Sequence, residues 1–209
     1  MHPEGTKVPI VIGVTGGIGA GKSRILKILE EKHHAQVLLA DQVAAELEEP
    51  GQEGLALLTK EFGNGILGED GRLDRTAFAQ KIFKDPKVLT QVNAILHPLT
   101  WQAIQRKIHR LSKEAEVDLI VVESALFQEE SKKICDFLWY VDVTEENRIQ
   151  RLMENRGYSR EKCLDIMKNQ PCREEFLALA DEVIDNNQTM EETKDQIWRL
   201  LEKERLKPS

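Results

Sequence analysis

The chain has 209 residues, of which 41% are hydrophobic and 31% are charged. This length and composition fit one globular domain with a small insertion, and they exclude a collagen-like, low-complexity or disordered chain. The 29 basic and 36 acidic residues leave a formal net charge of −7, so the surface offers no broad positive field to a nucleic acid or an anionic membrane. An anionic ligand must therefore be held by a local arrangement of donors.

Two features of the sequence predict a cytoplasmic protein. The three cysteines form no C-x-x-C pair, which suits a reducing compartment. The apolar run at residues 9–14 has no basic segment before it and is too short for a signal peptide or a membrane span. We expect a monomer or a weak homo-oligomer, with no nucleic-acid or membrane partner.

Apolar, β-branched segments alternate with helical patterns along the chain. The first segment, residues 9–14, ends at glycines and is typical of a strand buried on both faces of a parallel sheet. Similar segments follow at 37–39, 118–122, 138–143 and 182–184. Between them, apolar residues recur at steps of three and four, as on one face of a helix. The alternation predicts an α/β fold with a five-stranded parallel sheet.

Two helical stretches interrupt this alternation. The longer one lies between the second and third predicted strands, with helical patterns at 73–83, 88–96 and 97–111. The shorter one follows the fourth strand, where charged helices are predicted over 145–155 and 159–169. We therefore expect a core over about residues 8–47, 115–144 and 172–209, an all-helical insertion over about 48–114, and a small helical segment over about 145–171.

Residues 16–23 read GGIGAGKS and fit G-x-x-x-x-G-K-[ST], the phosphate-binding P-loop. In such a loop the backbone N–H groups surround an anion, and the next helix presents its positive N-terminal end. Lys22 is predicted to reach the terminal phosphates and Ser23 to bind Mg²⁺. The predicted ATP-binding residues here are Gly16, Gly17, Ile18, Gly19, Ala20, Gly21, Lys22, Ser23 and Arg24.

A P-loop by itself does not identify the reaction. A GTPase would normally carry an N-K-x-D guanine motif, which this sequence lacks, and an ATP-driven motor would normally be longer. A small-molecule kinase uses a helical acceptor domain and an arginine-bearing lid, and the two helical stretches suit those tasks. Two alternatives stay open, another nucleotide, nucleoside or shikimate-type kinase and a non-catalytic nucleotide-binding regulator.

At this point the sequence resembles the dephospho-coenzyme A kinase family over about residues 10–187. The resemblance rests on ordered signatures, namely GVTGGIGAGKS at 13–23, AD at 40–41, LDR at 73–75, VNAILHPL at 92–99, VDV at 141–143 and ADEVIDN at 180–186. It implies a P-loop NTPase-type three-layer fold with a five-stranded parallel sheet, a helical acceptor-binding insertion and a small helical lid. It also implies transfer of the γ-phosphate of ATP, with Mg²⁺, to the 3′-hydroxyl of dephospho-coenzyme A, the final step of coenzyme A synthesis.

The resemblance also implies roles for single residues. Asp41 would accept or orient the proton of the acceptor hydroxyl, although its carboxylate would also suit the N-cap of the next helix. Lys22 and Arg151 would be the catalytic cations, Arg151 acting from the lid on the transferring phosphoryl group, and a solvated arginine is the alternative. Asn186 would lie near the adenine of ATP, or it is a simple turn residue.

On the acceptor side, the resemblance suggests Arg75, His97 and Lys107 as ligands. The alternatives are solvated side chains for Arg75 and Lys107, and a capping or packing role for His97, which stands in a His-Pro pair before a predicted helix.

The chain departs from the family pattern at three places. Leu39 replaces an aspartate, and Glu123-Ser124-Ala125 replaces the usual sequence after the third strand. Glu123 retains a carboxylate at this place, and the carboxylate could hold Mg²⁺ through a water molecule. In the lid, Asn155 stands where a second arginine is common, and Arg156 is one residue away.

Overall fold

The computed structural model describes residues 8–114 and 117–205, in which strands alternate with helices. The strands are β1 (Ile10–Thr15), β2 (Gln36–Leu39), β3 (Leu119–Glu123), β4 (Phe137–Asp142) and β5 (Glu182–Asp185). The helices are α1 (Lys22–His33), α2 (Ala40–Leu47), α3 (Glu53–Phe62), α4 (Arg75–Lys84), α5 (Pro86–Leu111), α6 (Glu129–Lys132), α7 (Glu145–Arg156), α8 (Arg160–Lys168), α9 (Arg173–Leu179) and α10 (Met190–Arg205). None of the helices in these described ranges is long and apolar enough to cross a membrane.

The strands form one sheet in the order β2-β3-β1-β4-β5, which confirms the predicted five-stranded parallel α/β fold. The central strand β1 pairs with β3 on one side and with β4 on the other. The successive residues Val11 and Ile12 of β1 point to opposite faces of the sheet, and both are buried.

The carboxyl ends of the parallel strands meet at one edge of the sheet. Val14 of β1 lies opposite Glu123 of β3, and Asp142 of β4 lies opposite Asp185 of β5. The loop at residues 16–23 leaves β1 at this edge, where the strand order reverses. Open α/β sheets bind their ligands at such a switch point.

Helices α7 and α8 pack together around a small core of their own. Ile149, Leu152 and Cys163 are buried in it, and the partly buried side chain of Ile18 packs against them. Ile18 belongs to the loop after β1, so this helix pair is attached to that loop through an apolar contact.

The described residues divide into two compact units, one that contains residues 8–37, 114 and 117–205 and one made of residues 38–113. The second unit is mainly helical, with the end of β2 and one isolated antiparallel bridge between Leu67 and Leu73. Its buried core joins α3, α4 and α5 through Leu58, Phe78, Val92 and Leu96. It begins about ten residues before the insertion expected at residue 48, because α2 packs along α5 and so belongs to this unit.

One predicted boundary in the helical unit is wrong. The sequence predicts a break between residues 96 and 97, whereas α5 runs without interruption through His97 and Pro98. An interior proline removes one backbone hydrogen bond and costs about 3 kcal/mol. Leu96 and Leu99 are each 7% exposed, and their burial on either side of Pro98 offsets this cost.

Candidate active site

The loop at residues 16–23 has the backbone conformation that its glycines allow. Gly19 and Gly21 have φ values of 78° and 89°, in the left-handed region that favours glycine. A Cβ on Gly19 would also lie 2.9 Å from the carbonyl oxygen of Arg148, which is backbone and cannot turn away. Helix α1 starts at Lys22 directly after this turn, so its N-terminal amides lie beside the loop.

The predicted cation and the predicted acid lie together at the loop. Lys22 Nζ donates a hydrogen bond to the Gly16 carbonyl at 2.7 Å and lies 3.5 Å from Glu123 Oε1. The parallel register of β1 and β3 brings Glu123 to this position. Both side chains are about 15% exposed, so the pair is shielded but remains open to a ligand. Ser23 and Arg24 are exposed in the first turn of α1.

Arg151 of α7 reaches the same loop. Its Nη1 donates to the Ala20 carbonyl at 3.3 Å, and its Nη2 donates to the Asn186 carbonyl at 2.7 Å. Burial lowers the pKa of Arg151, and the positive charge of Arg24 lowers it further. Arg151 is therefore not the fully solvated arginine that was the alternative expectation.

Two neighbouring residues of α7 take different positions. The Asn155 side chain donates to the Arg151 carbonyl at 2.8 Å, one turn back along α7. Arg156 is the last residue of α7 and is exposed. Among the described residues, Arg151 therefore contacts the loop, and no contact between Arg156 and the loop is found.

Asn186 follows β5, and its side chain contacts the loop at residues 16–23. Its side chain is buried, and its Nδ2 donates to the Ala20 carbonyl at 2.8 Å. Its Oδ1 accepts a hydrogen bond from Thr193 Oγ1 at 3.1 Å. Since both ends of the amide are bonded to protein, this side chain acts as a brace for the loop, a role that the turn-residue alternative does not describe.

Two further side chains contact the loop and were not among the site residues predicted from the sequence. Arg148 Nε donates to the Ile18 carbonyl at 2.8 Å, and Gln170 Oε1 accepts from the Ile18 N–H at 2.9 Å. Arg148 precedes Arg151 by three residues and so shares its helix face, which is a signal that sequence spacing does contain. Gln170 follows α8 and has no local pattern that marks it.

In the helical unit, Asp41 is an exposed residue of the first turn of α2. The alternative expectation, that it is the N-cap, is wrong, because the helix begins at Ala40 and Leu39 precedes it. Within the described residues, no hydrogen bond or ion pair engages the Asp41 carboxylate. The N-terminal dipole of α2 favours a negative charge at this position.

The predicted acceptor-side cations each pair with a glutamate at the C-terminal end of α2. Arg75 Nη2 lies 3.0 Å from Glu48 Oε2, and Lys107 Nζ lies 2.8 Å from Glu46 Oε2. Burial raises the pKa of Glu48, and Arg75 opposes this shift. His97 is exposed on α5 inside the helix, so it is neither a cap nor a core residue.

Comparison with known proteins decides the family. A family model described as dephospho-CoA kinase matches residues 10–192. The chain belongs to the dephospho-CoA kinase family. The dephospho-CoA kinase of Carboxydothermus hydrogenoformans is 37% identical over 194 residues, which cover 92% of this chain and 93% of that protein. The resemblance stated from the sequence signatures is thereby confirmed, and the chain is a kinase of this family.

Solved structures agree with the fold. The crystal structure of the Thermus thermophilus protein TT1252 has a TM-score of 0.77 and 32% sequence identity, with 97% of this chain and 100% of that one covered. Dephospho-CoA kinase from Campylobacter jejuni has a TM-score of 0.62 and 20% identity, with 94% and 97% covered. At 20% identity the second likeness shows the dephospho-CoA kinase fold alone.

Proposed function

We propose that this chain transfers the γ-phosphate of ATP to the 3′-hydroxyl of dephospho-CoA and releases CoA and ADP. The observation that carries the proposal is the phosphate-binding loop at the switch point of the sheet, in a chain that the dephospho-CoA kinase family model matches over residues 10–192. In this reaction the 3′-oxygen attacks the γ-phosphorus, the bond from that phosphorus to the β,γ-bridging oxygen breaks, and ADP carries away the bonding electrons.

The loop and two cations supply the phosphate side of the reaction. Phosphoryl transfer is catalysed mainly by positioning and by charge opposite the transferring group. Lys22 is positioned by its bond to the Gly16 carbonyl and its pair with Glu123, and its ammonium would turn from these oxygens to the terminal phosphates. Arg151 is held by the Ala20 and Asn186 carbonyls and would face the transferring phosphoryl group from α7.

The donors near the loop fit a magnesium ion bound with the nucleotide. Mg²⁺ prefers oxygen ligands and usually keeps several waters, taking one or two protein oxygens together with phosphate oxygens. The Ser23 hydroxyl and the Glu123 carboxylate are such donors, Glu123 acting through water. In the ranges the structure describes, no group of three or more His, Cys, Asp or Glu side chains could hold a metal ion. When bound, Mg²⁺ neutralises charge on the phosphates.

Asp41 is the residue we propose for the acceptor hydroxyl. A ribose hydroxyl is a weak nucleophile, and a carboxylate that accepts its proton as the new bond forms assists its attack. The Asp41 carboxylate is exposed and without a partner among the described residues, so no protein contact has to break before it receives this proton.

We further propose that residues 38–113 bind the acceptor, with Arg75, His97 and Lys107 as ligands, and that α7 and α8 form the lid. Arg75 and Lys107 already pair with Glu48 and Glu46. An anionic acceptor would therefore replace a glutamate at each cation rather than meet an unpaired charge. Asn186 would act on ATP through the loop, since its side chain is bonded to Ala20.

A panel of acceptors tests the proposed reaction. Purified protein with MgATP should release ADP in the presence of dephospho-CoA, and CoA should form in equal amount. Nucleoside monophosphates, nucleosides and shikimate should give no release above the background without acceptor. Turnover of one of these with dephospho-CoA left intact would show a different kinase, and nucleotide binding without any acceptor turnover would show a regulator.

The remaining expectations concern location and assembly. We propose that the protein acts in the cytoplasm as a monomer or a weak homo-oligomer, without nucleic-acid or membrane partners. Its net charge of −7 supports the absence of nucleic acid. Gel filtration over a range of protein concentrations tests the assembly.

A further inference from the structure

The Ile18 peptide in the phosphate-binding loop is held at both of its polar groups. Gln170 Oε1 accepts from its N–H at 2.9 Å, and Arg148 Nε donates to its carbonyl at 2.8 Å. The two side chains are also joined, because Arg148 Nη2 donates to the same Gln170 oxygen at 2.8 Å. These three bonds fix the guanidinium against the loop, where a Cβ on Gly17 would overlap it.

The charge of Arg148 is not balanced by a contact with an acid. Its hydrogen-bond partners are two neutral oxygens, and across residues 8–114 and 117–205 no carboxylate lies within 4.0 Å of it. Burial lowers its pKa, and Tyr140 and Glu145 oppose this shift only more weakly. A half-buried cation without an acid beside it is costly, and such sites are balanced when an anion binds.

We infer that Arg148 is a further phosphate-binding cation of the nucleotide site, beside Lys22 and Arg151, and that Gln170 is the positioning residue that holds its guanidinium at the loop. The inference rests on the proposed function only in that the loop takes a nucleoside triphosphate. Arg148 lies at the first turn of the loop, at Gly17 and Ile18, whereas Arg151 lies at Ala20. The two arginines thus place positive charge at different points along the loop.

The variant Gln170→Glu separates this role from a purely structural one. A glutamate keeps the length and the acceptor oxygen, so it can still accept from Ile18 and from Arg148. It also neutralises Arg148 by forming an ion pair with it. If Arg148 binds phosphate through its charge, Gln170→Glu weakens nucleotide binding although the loop stays braced.

The experiment is calorimetric titration of the full chain with MgATP and, separately, with adenosine, in the absence of any acceptor. Arg148→Gln and Gln170→Glu should each raise the Kd for MgATP about 10- to 100-fold, the range of one charge-assisted hydrogen bond. The Kd for adenosine should change by less than about threefold, since adenosine carries no phosphate. Arg160→Gln is the matched control, because Arg160 is exposed and pairs with Glu146.

Three results would overturn the inference. Gln170→Glu with MgATP affinity like the unmodified chain would mean that Gln170 and Arg148 only brace the loop. Arg148→Gln with unchanged affinity would remove Arg148 from the site, and equal losses for adenosine and MgATP would show a general distortion. Because no acceptor is present, an error in the acceptor assignment cannot imitate any of these results. Gln170→Glu retains the loop contacts, so the test does not depend on Arg148→Gln folding.

Discussion

Asn186→Ala is expected to destabilise the protein and to weaken MgATP binding together. The buried amide of Asn186 makes two hydrogen bonds, one to the Ala20 carbonyl at 2.8 Å and one from Thr193 Oγ1 at 3.1 Å. Alanine removes both bonds, and the first of them is the side-chain contact that supports the phosphate-binding loop.

The loss in the free energy of unfolding depends on which hydrogen bonds the former partners of Asn186 still make. The Ala20 carbonyl retains Arg151 Nη1 at 3.3 Å, and the Thr193 hydroxyl can direct its single proton to the Thr189 carbonyl, which lies 3.2 Å away. Neither group is left buried without a partner, so the larger penalty for an orphaned group does not apply. Two net hydrogen bonds then give a loss of about 1–3 kcal/mol in the free energy of unfolding.

Urea unfolding and MgATP titration of the same preparations measure the two effects. Thr193→Val is the matched control, because it removes the hydroxyl below Asn186 but leaves the Asn186–Ala20 bond in place. It should lose stability and retain most of its MgATP affinity. If Asn186→Ala keeps its stability to within about 0.5 kcal/mol but loses MgATP affinity, Asn186 contacts the nucleotide directly and the brace is refuted.

Three further predictions concern other residues of the chain. Lys22→Ala should weaken MgATP binding and slow turnover together, since its charge acts on the phosphates in the ground and transition states; unchanged ATP affinity in a titration would contradict the loop assignment. Asp41→Asn should lower kcat on the order of 100-fold while MgATP still binds, and near-normal turnover in the coupled ADP assay would remove Asp41 from the mechanism. Glu48→Gln should gain stability relative to the unmodified chain as the pH rises from about 4 to about 7. Burial raises the pKa of Glu48, so its stabilising contribution is present at low pH and is lost as the carboxyl ionises; urea midpoints that stay parallel over this range would contradict that.

The nucleotide side of the site was predictable because its chemistry is local. The glycines, Lys22 and Ser23 stand within one short motif, and the apolar strand before it fixes where the loop leaves the sheet. The contacts that hold the loop are not local. Gln170 lies 152 positions from Ile18, and Asn186 lies 166 positions from Ala20. No spacing rule connects residues so far apart.

In the helical unit, a strong local sequence signal is overridden by packing. A His-Pro pair is a reasonable helix boundary, since proline lacks the N–H and disfavours helical backbone before it. In the folded chain, α5 continues because Leu96 and Leu99 are buried on either side of Pro98. The same packing explains why α2 belongs with α5, which sequence periodicity alone could not assign.

The cations at the phosphate-binding loop and the proposed acceptor-side cations differ in how their charge is balanced. This difference affects how an acidic chain binds two anionic substrates. Of the three cations at the phosphate-binding loop, Lys22 is paired with Glu123, whereas Arg148 and Arg151 are bonded only to neutral oxygens. The positive charge of the two arginines is therefore available when a polyphosphate arrives. Arg75 and Lys107 are paired with Glu48 and Glu46, so an acceptor anion must compete with a carboxylate at each. Charge alone therefore favours MgATP at the phosphate-binding loop, whereas an acceptor anion at Arg75 or Lys107 gains only the difference between two ion pairs. We expect added salt to weaken MgATP binding more steeply than acceptor binding, since only the first adds net charge neutralisation.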